Sequence, residues 1–391
     1  MFKLLLVIFF LFTGCDENIE ESPQVIVNNY SIFVSLQGSD KVAIVDSNFE
    51  FQDTICIDSS CNANDPIDQG PHDIAIDSQN GYWFTTKMNG NAVDMYSLET
   101  NELLSSFTTG RMPALMTLDQ ESKLIYISRG MPMAGGEDTN IIYELSYSNG
   151  FLDPTPINEW DVTFSYAHGI NFNKDDSHVY VTSKTNDFIA KINPQEPSSG
   201  TNPLLVSMNA LINEDAPIPV NRLVPIQITS KYPYMFIACS GKADEIPGQV
   251  QMWDMNQMTL LETIEFGINS HPWHIEVSPI EDKVFVTLSG NEIENSGVAC
   301  IEYGISNNQI TLQELWKTTS SNYGTLHGIT VQSDCDGNNY VYATGRIDGN
   351  IYKFDALTGE QIGSAQNLAN ASAAATGGID SYSPYCDTCS D

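Results

Sequence analysis

The chain contains 391 residues, 41% of them hydrophobic and 10% aromatic, which is enough apolar material for a packed core and excludes an acidic disordered polymer. Its 16 Lys and Arg residues stand against 50 Asp and Glu residues, and the formal net charge is −34. Binding to nucleic acid depends on clustered basic residues that neutralise phosphates, so we expect no nucleic-acid partner.

The N-terminal residues are typical of a secretion signal. Lys3 precedes an apolar run, residues 4–12, that is too short to span a bilayer as a helix. The stretch Leu11-Phe12-Thr13-Gly14-Cys15 then resembles a bacterial lipobox, in which the cysteine is lipidated. We expect a lipoprotein signal peptide at 1–14, a lipidated Cys15 and an acidic tether at 15–29; an ordinary signal peptide with an incidental cysteine is the alternative. The expected location is the bacterial cell envelope, on either side of the outer membrane, with the lipid as the only membrane anchor.

The remaining cysteines number seven, and an odd count leaves at least one thiol unpaired in a compartment that permits disulfides. Cys56 and Cys61 are close enough in one loop to pair. Cys386 and Cys389 form a CxxC motif with no following histidine and no second CxxC, which favours structural bridging over haem attachment, zinc binding or redox chemistry. The others are Cys239, Cys300 and Cys335.

One short phrase recurs from residue 70 onward. It reads Gly70-Pro71-His72-Asp73-Ile74-Ala75-Ile76-Asp77 at first, and its period-two alternation of apolar residues predicts a strand. Each copy leads through a polar turn into a second apolar strand, such as Val179-Tyr180-Val181-Thr182. A repeat of about 40 to 55 residues made of short strands is typical of a β-propeller.

The repeats predict an all-β, seven-bladed β-propeller over residues 30–391. The first strands, Tyr30 to Leu36 and Lys41 to Asp46, lack an inner strand, and the segment 377–384 matches the missing one. We therefore expect the C-terminal strand to complete the first blade and to close the ring, which removes exposed sheet edges. The six complete repeats begin near His72, Ala114, His168, Pro225, His274 and His327.

Several stretches resemble known propeller repeats. Val179 to Ile192 resembles the YVTN repeat of YncE-like propellers. The phrase from Pro71 to Asp77, followed by Trp83-Phe84-Thr85, is similar to the repeat of NHL and streptogramin-lyase-like propellers, and Ile351 to Glu360 resembles the outer-strand phrase that such families share. The resemblance covers about residues 30 to 384 and implies the propeller fold. These families include lyases, lactonases and plain binding proteins, so it leaves the function open.

Four of the six histidines fall at the start of predicted inner strands. Because inner strands line the channel of a propeller, we expect these imidazoles to converge at one mouth of the channel, here named the top. One hypothesis is that they hold a divalent metal such as zinc, copper or iron, for which imidazole nitrogen is a suitable ligand. The alternative is a structural histidine of the repeat that bonds to the backbone of a neighbouring blade. The four are His72, His168, His274 and His327.

Basic and aromatic residues are predicted on the same face, because they follow second strands or precede inner strands. In a protein of strongly negative charge they would attract anions locally; the alternative is that they form surface ion pairs with Asp and Glu. Tyr166, Trp273 and Tyr323 are placed to stack on a ligand. The predicted ligand-binding residues are Lys87, Arg111, Arg129, Lys184, Arg222, Lys242, His271, Trp273 and Arg346.

These features favour a lipid-anchored propeller that binds a small anionic ligand or an envelope protein on its top face, without chemistry. The alternative is a metal-dependent enzyme of the lyase, lactonase or oxidase type, with the four histidines as metal ligands and Arg129, Arg222 and Arg346 orienting an anionic substrate. A scaffold that acts through its flat faces is a third hypothesis. We expect the protein to be a monomer.

Overall fold

The computed structural model describes residues 30–57, 69–110, 112–130, 140–164, 166–197, 199, 201–209, 222–291, 295–306, 309–334, 336–369 and 375–383. The predicted signal peptide, Cys15, the tether, Arg111 and the cysteines at 61, 335, 386 and 389 lie outside these ranges. Cys56 is disulfide-bonded, whereas Cys239 and Cys300 are buried thiols. Within this part of the chain, no helix has the length and apolar character that crossing a bilayer requires.

Seven antiparallel sheets form the blades of a β-propeller, as the repeats predict. Blade 1 contains β1 (Ser31–Leu36), β2 (Lys41–Asp46), β3 (Phe51–Cys56) and, as its inner strand, β29 (Thr376–Tyr382); a 3₁₀ turn, Gln37–Ser39, follows β1. Blade 2 contains β4 (Pro71–Asp77), β5 (Tyr82–Lys87), β6 (Ala92–Ser97) and β7 (Leu103–Thr108). Blade 3 contains β8 (Pro113–Asp119), β9 (Leu124–Arg129), β10 (Ile141–Ser148), β11 (Phe151–Leu152) and β12 (Asn158–Asp161).

The other four blades follow the same order from the channel outward. Blade 4 contains β13 (Ala167–Asn173), β14 (His178–Ser183), β15 (Phe188–Ile192) and β16 (Leu204–Ser207), and blade 5 contains β17 (Pro225–Lys231), β18 (Tyr234–Cys239), β19 (Gly248–Asp254) and β20 (Thr259–Gly267). Blade 6 contains β21 (Pro272–Val277), β22 (Lys283–Leu288), β23 (Gly297–Ser306) and β24 (Gln309–Thr319), and blade 7 contains β25 (Leu326–Ser333), β26 (Asn339–Gly345), β27 (Asn350–Asp355) and β28 (Gln366–Asn367).

The C-terminal strand closes the ring. β29 pairs antiparallel with β1, with Asp380 opposite Phe33 and Ile379 opposite Val34. The prediction that this strand completes the first blade is therefore confirmed. Apolar side chains from neighbouring blades pack together between the sheets; Phe33 of blade 1, for example, lies with its ring centroid 5.5 Å from that of Trp83 of blade 2.

Every inner strand carries a β-bulge near its start. In blade 2, Pro71 lies opposite Lys87 but Ile74 lies opposite Thr85, so His72 and Asp73 together face a single residue of β5. The same one-residue shift occurs in the other six blades. A bulge redirects side chains at the rim of a sheet, and here it places two consecutive positions of each inner strand, those of His72 and Asp73, at the top of the channel.

In five of the seven blades, a hydroxyl on the second strand joins the bulge to the next blade. Thr287 Oγ1 accepts a hydrogen bond from the backbone N–H of His274 in its own blade, at 3.0 Å, and donates to the carbonyl oxygen of His327 in the next, at 2.8 Å. The inner strands of adjacent blades belong to different sheets and share no backbone ladder, so these hydroxyls bridge them. Ser35, Thr86, Ser128 and Thr344 bond in the same way to the next blade, whereas Thr182 Oγ1 of blade 4 has no hydrogen-bond partner among the described residues and blade 5 has Ala238 at this place.

Candidate functional site

The strand register places three of the four histidines at one equivalent position. His72, His168 and His327 are the second residues of β4, β13 and β25. His274 lies one residue further along, since Trp273 is the second residue of β21. The expectation that all four histidines share one repeat position is therefore wrong for blade 6, although His274 still belongs to the bulge.

The four imidazoles converge, as the repeats predict. The ring centroid of His72 lies 6.2 Å from that of His168 and 5.9 Å from that of His327, and the His274 and His327 centroids are 4.6 Å apart. The side chains are only 2–5% exposed. We call them the histidine cluster. Contact across intervening blades is allowed by the small residues Ala114 and Gly377, which occupy the same level in blades 3 and 1.

Burial keeps the histidine cluster neutral. Desolvation, with the positive charge of Lys184 nearby, lowers the pKa of His168 to about 3, and desolvation lowers that of His274 to about 3. The pKa values of His72 and His327 also lie well below the ordinary value, first because of burial and then because of neighbouring imidazoles and Arg346. His168 Nδ1 donates to the carbonyl oxygen of Ile226 at 2.7 Å, so in this neutral ring Nε2 carries the lone pair.

Other ring nitrogens of the cluster have no hydrogen-bond partner. They are His72 Nδ1, His274 Nε2 and His327 Nδ1, and all three atoms are buried. His168 thus makes the blade-to-blade backbone bond expected of a structural histidine, whereas these atoms make none. Among the described residues, no group of three or more His, Cys, Asp or Glu side chains is arranged to hold a metal ion.

Two cations and two aromatic rings lie at the top of the histidine cluster. Lys184 Nζ lies 4.6 Å from the ring centroid of Trp273 and 5.4 Å from that of Tyr166, which suits cation–π attraction. Burial, together with the positive charge of Arg346, lowers the pKa of Lys184 to about 8. Tyr166 and Trp273 in turn contact His168 and His327, at centroid distances of 6.0 and 5.5 Å. We call Tyr166, Lys184, Trp273 and Arg346 the channel mouth.

The backbone fixes these cations at equivalent places in blades 4 and 7. Lys184 and Arg346 each come directly after the second strand, and their N–H groups donate to the carbonyl oxygens of Tyr166 and Thr325, both at 3.0 Å. Tyr166 and Thr325 have positive φ values of 60° and 57°, a left-handed conformation that turns the chain sharply into the inner strand. The guanidinium of Arg346 donates to the carbonyl oxygen of Thr376 at 3.3 Å, and no described carboxylate pairs with it.

Two other predicted cations do not reach the channel mouth. Lys87 forms an ion pair with buried Asp94 at 2.8 Å, and Arg129 packs over the ring of Tyr143 at 5.5 Å and bonds to its hydroxyl. Both are the last residues of their strands, one position earlier than Lys184. Successive side chains of a strand point to opposite faces, so this one-residue difference turns them toward the third strand. Lys87 therefore forms an ion pair with an aspartate, as the alternative predicts, whereas Arg129 packs against a tyrosine of its own blade.

The remaining predicted residues have separate environments. His271 bonds through Nδ1 to the carbonyl oxygen of Ser240, at 3.0 Å. Lys242 forms a one-bridge loop with Ile246, and the backbone of exposed Arg222 donates to Asp187 at 2.8 Å. Of the nine predicted ligand-binding residues, the structure brings together Lys184, Trp273 and Arg346.

The structure also reveals carboxyl groups that the sequence interpretation missed. Below the histidine cluster, a cavity of about 380 Å³ is lined by residues of all seven inner strands, including Asp73, His274, Glu276 and Asp380. We call it the channel cavity. Burial raises the pKa of Asp73 and of Asp380 to about 7 and that of Glu276 well above its ordinary value, and the charge of Asp380 raises the pKa values of the other two. The sequence pattern that could have indicated these carboxyl groups is a charged residue at an inward-facing position of an otherwise apolar inner strand.

Fold and site together define a seven-bladed β-propeller whose channel contains four buried, neutral histidines below a cationic mouth. No protein-family model and no curated protein matches the sequence. Solved structures share the fold: a putative 6-phosphogluconolactonase from Bacteroides fragilis is 14% identical with a TM-score of 0.64, covering 93% of this chain and 100% of that one. Another from Bacteroides uniformis is 14% identical with a TM-score of 0.63, covering 91% and 100%. A protein from Lactobacillus plantarum is 11% identical with a TM-score of 0.63, covering 91% and 99%.

Proposed function

We propose that this protein binds a small anionic ligand at the channel mouth. The observation that carries the proposal is the pairing of two partly buried cations, Lys184 and Arg346, close enough for the charge of one to lower the pKa of the other. Holding like charges together away from water is unfavourable, and an anion between them offsets that cost. The protein as a whole has a net charge of −34, so two neighbouring positive charges form a local attractor for anions.

The aromatic rings suit the same ligand. Trp273 and Tyr166 flank Lys184, and the indole N–H of Trp273 is buried without a hydrogen-bond partner. An anion with a carbon skeleton would gain a donor from this N–H, charge contacts from Lys184 and Arg346, and an apolar wall from the rings. The imidazoles of the histidine cluster are uncharged, so the positive charge at the channel mouth comes from Lys184 and Arg346.

Sugar phosphates are the first ligands to test. The two Bacteroides structures are titled putative 6-phosphogluconolactonases, and the substrate that this title names is a phosphorylated lactone, an anion of the proposed class. The test is isothermal titration of the full-length protein with 6-phosphogluconate and with inorganic phosphate. We expect binding of the sugar phosphate that Lys184→Gln and Arg346→Gln each weaken at least tenfold, while exposed Lys317→Gln leaves it unchanged. Equal binding by all variants, or no binding at millimolar concentration, would overturn the proposal.

The same variants separate binding from catalysis. If the wild-type protein hydrolyses 6-phosphogluconolactone and Arg346→Gln does not, the mouth is an active site and the enzyme hypothesis takes precedence. If the lactone binds and is not hydrolysed, the result supports a binding protein and not an enzyme. Lipid anchoring is a further proposal that rests on the lipobox: Cys15→Ala should move the protein from the membrane fraction to the soluble fraction, and an unchanged distribution would contradict it.

A further inference from the structure

The channel cavity is lined by three carboxyl groups from three different blades. They belong to Asp73 of blade 2, Glu276 of blade 6 and Asp380 of blade 1. The only other titratable side chain in the lining is His274, and the described lining contains no Lys or Arg. The carboxylates are therefore brought together without a protein cation among them.

Part of the role of these carboxylates is structural. Asp73 Oδ2 accepts the backbone N–H of Met116 in the next blade, and Asp380 Oδ2 accepts that of Ile76, both at 2.8 Å. Glu276 accepts hydrogen bonds from the backbone of Val331 and the side chain of Thr330 in blade 7. Each carboxyl group thus joins its inner strand to the neighbouring one.

Neutral side chains do the same work in other blades. Thr117 Oγ1 accepts the N–H of Phe172, and Gln227 Oε1 accepts that of Ile275, both at 3.0 Å. Joining blades therefore requires an acceptor oxygen and no charge. The negative charges in blades 1, 2 and 6 add a desolvation cost that the structural role does not require.

A second observation at the cavity points to a ligand. His274 is 3% exposed and lines the cavity, and its Nε2 atom is buried without a hydrogen-bond partner. Leaving a buried polar atom unpaired is unfavourable, and a ligand atom that bonds to it removes this cost. Since the ring is neutral near pH 7, it can offer a lone pair to an N–H donor.

We propose that the channel cavity binds a small organic ammonium ion carrying primary amine groups, whose N–H donors bond to Asp73, Glu276, Asp380 and His274 Nε2. The proposal is independent of the anion site at the mouth. A directly coordinated metal ion is disfavoured because no three of the described His, Cys, Asp and Glu side chains are arranged as its ligands. The 380 Å³ volume holds about a dozen waters at 30 Å³ each, which is room for a short alkylamine with its hydration.

The ligand would enter from the face opposite the mouth. The cavity shares Gln120, Glu276 and Asp380 with a depression on that side, and Gln120 and Ser230 with another. Charged residues lining the latter are Asp119, Glu121, Asp175, Lys174 and Lys231. The histidine cluster separates this entrance from the channel mouth, so cation and anion reach the channel from opposite ends.

The test is calorimetric titration of the full-length protein at pH 8 in amine-free buffer, with putrescine, tetramethylammonium and Ca²⁺ as separate probes. We expect putrescine to bind at least tenfold more tightly than tetramethylammonium, which has the charge but no N–H donor. Asp380→Asn and Glu276→Gln keep the acceptor oxygens and should each weaken putrescine binding at least tenfold. Exposed Glu265→Gln is the control and should bind as the wild type does. Affinity should fall from pH 8 to pH 6, because protons compete for the carboxylates.

Three results would overturn the proposal: no putrescine binding at millimolar concentration, equal binding of tetramethylammonium, or binding of Ca²⁺ in preference to the amine. Unfolding curves of both variants would show that they fold, and Asp73→Asn serves as a third variant if one does not. Lys184→Gln should retain putrescine binding, and Asp380→Asn should retain 6-phosphogluconate binding. The two sites can therefore fail separately.

Discussion

The rings of His72 and His327 are 5.9 Å apart although a complete blade lies between their sheets. The contact exists because blade 1 places Gly377 at their level, and a Cβ on this glycine would lie 2.3 Å from the carbonyl oxygen of His72. One missing side chain thus lets imidazoles of non-adjacent blades meet. The resulting cluster is buried and uncharged, which has consequences for stability.

Acid should destabilise the protein through the histidine cluster. The folded pKa values lie below the ordinary 6.5, so as the pH falls below about 6.5 the unfolded chain takes up protons that the folded chain does not. Each such histidine contributes up to about 1.4 kcal/mol per pH unit. His327→Gln should therefore lower the slope of unfolding free energy between pH 6 and pH 4.5, measured by urea denaturation. Gln313→Asn, at an exposed position of β24 that does not titrate, should keep the wild-type slope; an unchanged slope in His327→Gln would contradict the explanation.

The channel carboxyls should act in the opposite direction. The folded pKa of Asp380 is about 7, so between pH 4 and pH 7 the unfolded chain loses this proton first and stability falls as the pH rises. Asp380→Asn keeps an acceptor for Ile76 and removes the charge. In amine-free buffer we expect the stability of this variant relative to the wild type to increase by about 2 kcal/mol between pH 5 and pH 8. A variant less stable than the wild type at pH 8 would show that the carboxylate is required for folding.

Anion binding should weaken as Lys184 loses its proton. Its pKa of about 8 means that the ammonium form predominates at pH 7 and is largely lost by pH 9.5. We expect 6-phosphogluconate affinity to fall about tenfold over this range, since about one unit of charge leaves the site. Lys184→Arg keeps its charge and should bind equally at both pH values. If Lys184→Arg lost affinity over the same pH range, the loss would be due to the titration of another group.

The hydroxyl of Thr287 should contribute to stability because it bonds to two blades. Thr287→Val removes the bonds to His274 N–H and the His327 carbonyl oxygen and leaves both backbone groups buried. We expect a loss of about 2–3 kcal/mol in the free energy of unfolding. Thr311→Val, at an exposed threonine of β24, should change it by less than about 0.5 kcal/mol. Similar losses in both variants would mean that replacing any strand threonine by valine lowers the stability, whether or not its hydroxyl bridges two blades.

The fold was predictable because each blade repeats the same strand pattern. The first repeat lacks an inner strand and the last segment is a single inner strand, so pairing the two closes the ring. The site was only partly predictable. Aligning histidine with histidine placed His274 one residue too early. The strand register is set by the pairing of Pro272 with Leu288, which makes Trp273 the equivalent of His72. Lys87 and Lys184 look equivalent in sequence, yet a one-residue difference at the end of the strand sends Lys87 to Asp94.

The carboxyls of the channel were missed for a different physical reason. Asp380 and Glu276 follow isoleucines in short apolar strands, and only ring closure shows that they face one space. Their proximity is a property of the seven blades together and is not encoded in any single repeat. The pairing of Lys184 with Trp273 is similar, because these residues are far apart in the chain.

The pairing of β29 with β1 also constrains how the protein matures. β1 is among the earliest strands to leave the ribosome, and its open edge has no partner until residue 376 has followed it. A chain that ends between residues 367 and 376 contains six complete blades and one exposed edge, a template for joining another polypeptide. Closure of the ring therefore waits for the C-terminal strand, and a product that lacks it should be recognisable to proteases by the unpaired edge of β1.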